Sequence, residues 1–241
     1  MVANSLSPYN APHSQSRTVM RLTGQCLLLL FIGALSALLT TITAKAGACD
    51  NQTVSTSARD QQLSAAAVIN EVQTNPYGER HAGSVCWSLD LIKAAGQPDR
   101  VVVHAEIDIP DLAMKVAMDF SQNTDRSASA SHFVAMMFEQ PRDVAGGQVV
   151  TVPGMMLKYS ERARGTPFAA LATRITKGSF LVSLSSLEVD RQRNLQLLKE
   201  RSWFDIPMVY ANQRRGILTV EKGYRGGQVF REAMAQWEQA R

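Results

Sequence analysis

Alternation of apolar and polar residues dominates the chain from Ser84 onward. Val85, Trp87, Leu89 and Leu91 alternate with Cys86, Ser88 and Asp90, the period-2 pattern of a half-buried strand. Gly96-Gln97-Pro98-Asp99 breaks that run. Val101, Val103, Ala105, Ile107 and Ile109 form the next set, stopped by Pro110, and Leu112, Met114, Val116, Met118 and Phe120 follow with the same spacing. After the polar loop Ser121–Ser131, further strands are expected over 132–139, 149–152, 169–176, 180–184 and 217–221. Asn75-Pro76-Tyr77-Gly78 and Pro153-Gly154 carry turn chemistry.

Three segments follow a helical period instead. Ala-rich Leu63–Val72 is expected to hold a short helix. Asp190 is placed to cap a segment in which Leu195 and Leu198 stand three apart. The last segment has the plainest pattern, with Val229, Phe230, Ala233, Met234 and Trp237 forming one apolar stripe. Gly226-Gly227 allows that helix to start. Many short strands, few helices and no βαβ alternation argue for a mainly β fold: an antiparallel sandwich or a partly open barrel, with a short helix near 190–201 and a C-terminal amphipathic helix.

Ahead of all this, Leu22–Ala44 contains no charged residue and includes Leu27-Leu28-Leu29-Leu30-Phe31-Ile32, with Arg17 and Arg21 before it and Lys45 after. A basic flank, an apolar run and small residues at Ala46-Gly47-Ala48 have the layout of a secretory signal peptide; the run is also long enough for a membrane anchor. In either case two arginines before and one lysine after put the rest of the chain outside the cytoplasm. Met20 makes a more ordinary start than Met1. Cys49 lacks the large aliphatic residue three positions before it that a lipidation site uses. The expected organisation is therefore residues 1–48 as signal peptide or anchor, 49–82 as a polar lead-in with the short helix, and 83–241 as a mainly β globular domain. The expected location is the periplasm, or the inner membrane facing it, with membrane contact only through the N-terminal segment.

Composition changes the picture in one respect. The chain has 241 residues, 25 Lys/Arg, 21 Asp/Glu and a formal net charge of +4, with a pI near 9.1. Three of the basic residues belong to the leader, so the chain from Cys49 onward is almost neutral. Its charge is uneven: 7 Lys/Arg against 13 Asp/Glu over 49–157, then 15 against 8 over 158–241. Halves that face each other in one domain would cancel. No Lys/Arg cluster with interleaved aromatics is present, so a nucleic-acid partner is not expected.

Motifs for chemistry are sparse. G-x-S-x-G, G-x-x-x-x-G-K-[ST], H-E-x-x-H and S-x-x-K are all absent, which leaves the common nucleophile, phosphate-loop and zinc-protease designs without their residues. Outside the leader only Cys49 and Cys86 remain, and in an oxidising compartment two such thiols are expected to pair. One constellation suits a metal. His104, Met114, His132 and Met136 combine imidazole with soft thioethers, a donor set for Cu(I). Small exported copper-binding β-sandwiches use a similar His…Met…His-x-Met order, although His132 and Met136 are four apart here, not two. The competing reading makes the methionines core residues, so no cofactor is the first expectation and copper the alternative.

Ser131-His132, Val152-Pro153-Gly154, Ala163-Arg164-Gly165-Thr166-Pro167, Asp190-Arg191 and the run from Arg193 to Asp205 resemble uncharacterised exported or membrane-anchored proteins of alphaproteobacteria, the rhizobial ones above all. The resemblance implies a Gram-negative envelope location and brings no activity or site residue with it. The sequence thus points to an exported envelope module that binds a protein partner or a small ligand without catalysis, with periplasmic copper binding as the alternative.

Overall fold

The computed structural model describes residues 65–72, 79–93, 99–125, 127–141 and 147–239. The strands are β1 (Ala65–Val72), β2 (Glu79–Ile92), β3 (Arg100–Ile109), β4 (Met114–Gln122), β5 (Ala130–Glu139), β6 (Val149–Thr151), β7 (Met156–Lys158), β8 (Thr166–Pro167), β9 (Ala170–Thr176), β10 (Ser179–Ser185), β11 (Trp203–Tyr210) and β12 (Arg215–Glu221). A 3-10 turn lies at Pro110–Leu112, and the helices are α1 (Glu188–Glu200) and α2 (Gly223–Gln239). Eleven strands make one antiparallel path in the order β8-β7-β11-β12-β1-β2-β3-β4-β5-β10-β9, with β6 alongside the far end of β11. The fold is a mainly β, partly open barrel with a C-terminal helix against its concave face.

Side-chain parity explains the curl. Along β3 the odd positions from Val101 to Ile109 are buried, and along β4 and β5 the even ones are. The opposite positions, such as Lys115, Ala135 and Asp108, face outward. Burying one face of a twisted sheet leaves a trough, and α2 fills it. Trp87, Phe120, Phe204 and Phe230 meet there with ring centroids 5.1–6.1 Å apart. Trp87 donates its indole N–H to Glu221 O at 2.9 Å and Trp237 donates to Val101 O at 3.0 Å, so both large rings are buried without an unpaired donor. Truncating either tryptophan to alanine is worth about 3–5 kcal/mol by analogy with other core aromatics. Gly226 permits the approach of α2, because a Cβ there would lie 2.9 Å from the Trp87 ring.

Two expectations are corrected. Leu63–Val72 does not supply a helix: Ala65–Val72 is β1, paired with β12 on one side and β2 on the other. Two ladders of hydrogen bonds, with Ala67 and Ile69 buried, outweigh the helix propensity of three alanines, which is a preference of under 1 kcal/mol per residue. The boundary at 82/83 consequently falls inside β2, and β1 belongs to the same sheet as the rest. Strand β11, which had no predicted counterpart, lies near the middle of one half of the sheet. The 1–48 segment and Cys49 are outside the described residues. Among those described, no helix is long and apolar enough to cross a membrane.

Candidate functional site: a basic pocket between the helices

The two helices meet where β12 ends. Helix α1 stops at Glu200, Arg201 turns into extended backbone (φ −89°, ψ 142°), and the chain enters β11 at Trp203. Lys222 stands between β12 and α2, followed by Gly223 at φ +58°, a conformation that glycine adopts without steric cost. The backbone N–H of Lys222 donates to Ser202 O at 2.8 Å, and Gly226 N–H donates to Lys222 O at 2.9 Å as the first turn of α2 forms. Leu198, Arg201, Lys222, Tyr224, Phe230 and Arg231 are among the residues lining a pocket of about 270 Å³ at this junction.

Lys222 forms its floor. Only 4% exposed, it donates its Nζ to Leu198 O, one of the last-turn carbonyls that a helix cannot satisfy itself. The same nitrogen lies 4.5 Å from the Phe230 ring centroid and 5.2 Å from that of Phe204, close enough for cation–π attraction. Burial pushes the Lys222 pKa down to about 7, because no carboxylate offsets the loss of water around the ammonium. Arg201 forms a wall: its guanidinium lies 3.4 Å over the Tyr159 ring, and its Nη1 is shut off from solvent with no hydrogen-bond partner. Lys199 and Arg231 complete the basic lining. Glu200 is the one carboxylate there, and it accepts from Gln196 at 3.0 Å. None of the four cations forms an ion pair among the described residues. Positive charge gathered beside a pocket without an ion pair favours negative charge there.

The four residues expected to hold copper are not brought together. His104 points outward from β3 and bonds Asp119 through Nδ1 at 2.6 Å; that bond raises its pKa. Met114, His132 and Met136 face inward and are buried. His132 and Met136 do share a face, as strand parity requires, but four residues of strand separate them by about 13 Å. Met114 sits eight positions along β4 from Gln122, the cross-strand neighbour of His132, or about 26 Å away. Met118 and Met155 are core residues too, while Met137 is 44% exposed. Burial pushes the His132 pKa down to about 4. Its ring rests against Trp237 at 5.1 Å, both nitrogens lacking partners, at the base of a serine-rich cleft.

A second polar cluster was not anticipated. Glu71, Glu79 and His81 bring donor atoms within 4.8 Å of one another at one end of the trough. Arg214 bonds Glu71 and lies 3.9 Å from Glu79, so a guanidinium already supplies the positive charge that those carboxylates need. The tip between β11 and β12 is therefore tied to β1 and β2. The basic pocket escaped the sequence for a similar reason. Lys199, Arg201, Lys222 and Arg231 span 33 positions and only packing gathers them. The chain matches no protein-family model, no curated protein and no solved structure.

Proposed function

We propose that this chain is a non-catalytic binding module of the cell envelope whose pocket between α1 and α2 holds an anionic small molecule. The observation that carries the reading is the convergence of Lys199, Arg201, Lys222 and Arg231 on one pocket with no ion pair to any of them among the described residues. An oxyanion there would neutralise the lining. Tyr224 and Met234 add an apolar rim, which suits a carboxylate or phosphate carried on a partly apolar body. The non-catalytic part rests on Lys222, whose nitrogen is occupied by a helix carbonyl and two rings and is therefore poorly placed as a nucleophile. The envelope part rests on the basic flank and apolar run of residues 1–48. Pairing of Cys86 with Cys49 belongs to the same reading; Cys86 is half-buried on β2.

The test is thermal unfolding and calorimetric titration with inorganic phosphate, pyrophosphate and citrate at low ionic strength. A ligand at a hundred times its dissociation constant should stabilise by about 2.7 kcal/mol. Arg201→Met and Arg231→Ala, checked for native circular dichroism, should lose most of that gain. Equal stabilisation of parent and variants, or none by any anion, would remove the proposal.

A further inference from the structure

Of the four cations around the pocket between α1 and α2, Arg201 and Arg231 are guanidinium groups, which keep their charge at any pH the protein meets. Lys199 is exposed on the last turn of α1. Lys222 is the buried one. In place of water its ammonium has Leu198 O and the faces of Phe204 and Phe230, which offset only part of the cost of burying a charge.

The acids on the elements around it are taken by other groups. Glu200 at the end of α1 accepts from Gln196 at 3.0 Å, Asp205 on β11 pairs with Lys158 at 2.6 Å, and Glu221 on β12 accepts from Ala66 N–H at 3.1 Å. Helix α2 adds Tyr224 and Arg231 to the lining and no acid. Burial is accordingly the cause of the fall in the Lys222 pKa to about 7, so the ammonium and the amine are both populated near neutral pH.

An anion in a pocket of about 270 Å³ sits close to this floor, and it attracts the ammonium but not the amine. We propose, resting on the anion reading of this pocket, that anion entry is coupled to proton uptake at the Lys222 Nζ, so that the site holds its ligand in mild acid and releases it as the pH rises. The proton comes from solvent and takes the nitrogen lone pair, and no bond of the ligand changes. A bound anion keeps the ammonium charged to a higher pH than the empty pocket does. Between those two limits the dissociation constant climbs with pH, and by reciprocity protonation strengthens the hold on the anion. Coupling is sharpest for an anion whose own charge is constant, a carboxylate or a sulfate. A phosphate monoester gains its second charge around pH 6, which works against the release.

Calorimetric titration of the full chain in mild detergent with sulfate and with benzoate tests this. From about pH 6.5 to about pH 8.5 the dissociation constant should rise roughly tenfold. At about pH 7.5, buffers of different ionisation enthalpy should show about half a proton taken up per anion. Lys222→Arg, with native circular dichroism, carries a fixed charge and should bind with no uptake and a flat profile. In the parent chain, a lysine Cε resonance that titrates near neutral pH by NMR should move its midpoint upward on adding sulfate, a readout that needs no variant. A flat parent profile, no proton uptake, an unmoved midpoint, or uptake that persists in Lys222→Arg overturns the coupling and leaves the anion site standing. Absence of binding by every anion removes the site, and the coupling with it.

Discussion

Lys158 and Lys222 are buried to the same degree, 5% and 4% exposed, yet the fold treats their charges in opposite ways. Lys158 meets Asp205 at 2.6 Å and Glu161 O at 2.5 Å, and Asp205 also accepts from Thr219 at 2.7 Å. These partners are strand neighbours: Lys158 lies opposite Trp203, and Asp205 opposite Thr219. Lys222 has a helix carbonyl and two aromatic faces but no carboxylate. The first ammonium is closed into a satisfied network. The second remains without a counter-charge next to a pocket, and burial lowers its pKa. Burial of a lysine therefore does not mark a site by itself; burial without a counter-charge does.

The largest effect comes from breaking the satisfied pair. Lys158→Met leaves Asp205 buried and unpaired, and the expected loss is about 3–5 kcal/mol in denaturant unfolding. The double change Lys158→Met with Asp205→Leu should recover most of it, since two apolar groups leave no orphan charge. A double variant as unstable as the single one would show that packing, not charge, sets the cost.

Lys222→Met should behave in the opposite sense. The folded-state pKa is about 7 and the free lysine value is 10.5, so between those values the unfolded chain holds the extra proton and stability climbs with pH. The climb expected for the parent is roughly 2 kcal/mol between about pH 6.5 and about pH 8.5. Methionine, which has no proton to lose, should flatten it, as chemical denaturation across that range will show.

His132 extends the contrast to a buried imidazole without a partner. Its pKa is lowered from 6.5 to about 4, so it contributes nothing unfavourable above pH 6.5 and destabilises as the pH falls from there to about 4. The expected loss is about 1.5 kcal/mol from pH 6.5 to about pH 5, and His132→Leu should abolish that acid limb. The smallest effect belongs to His104, whose raised pKa comes first from Asp119. Its stabilisation is complete below about pH 6.5 and fades as the pH rises through the folded value. Asp119 is half-exposed, so Asp119→Asn should cost less than about 1 kcal/mol even at low pH, with the histidine titration followed by NMR moving downward.

Legibility along the chain tracked the chemistry of the two sheet faces. β2 to β5 were readable because one face is apolar and the other polar over eight or more residues. β11, Trp203-Phe204-Asp205-Ile206-Pro207-Met208, does not alternate cleanly, since its outward Asp205 is itself buried with Lys158. β1 has alanine at three of its first positions and owes its conformation to two ladders, one to β2 and one to β12, the latter more than a hundred residues away in sequence. The C-terminal helix was readable from its stripe, although it begins at Gly223, three residues before the Gly226-Gly227 pair. For the copper set, His132 and Met136 do share a face of β5. Position along the strands, and the opposite facing of His104, needed the register.

Local pattern thus determined the mainly β class, the inward sets of most strands and the amphipathic helix, because period and burial are properties of contiguous residues. The charge split was also present in the composition. Tertiary structure decided where those charges are spent: Arg80 with Glu161 at 2.5 Å and Arg214 with Glu71 are paired across the chain, whereas Lys199, Arg201, Lys222 and Arg231 converge without an ion pair among the described residues. Which cations meet an acid depends on strand order and helix docking. Those are set by long-range hydrogen-bond ladders and aromatic packing, and no window of sequence contains them.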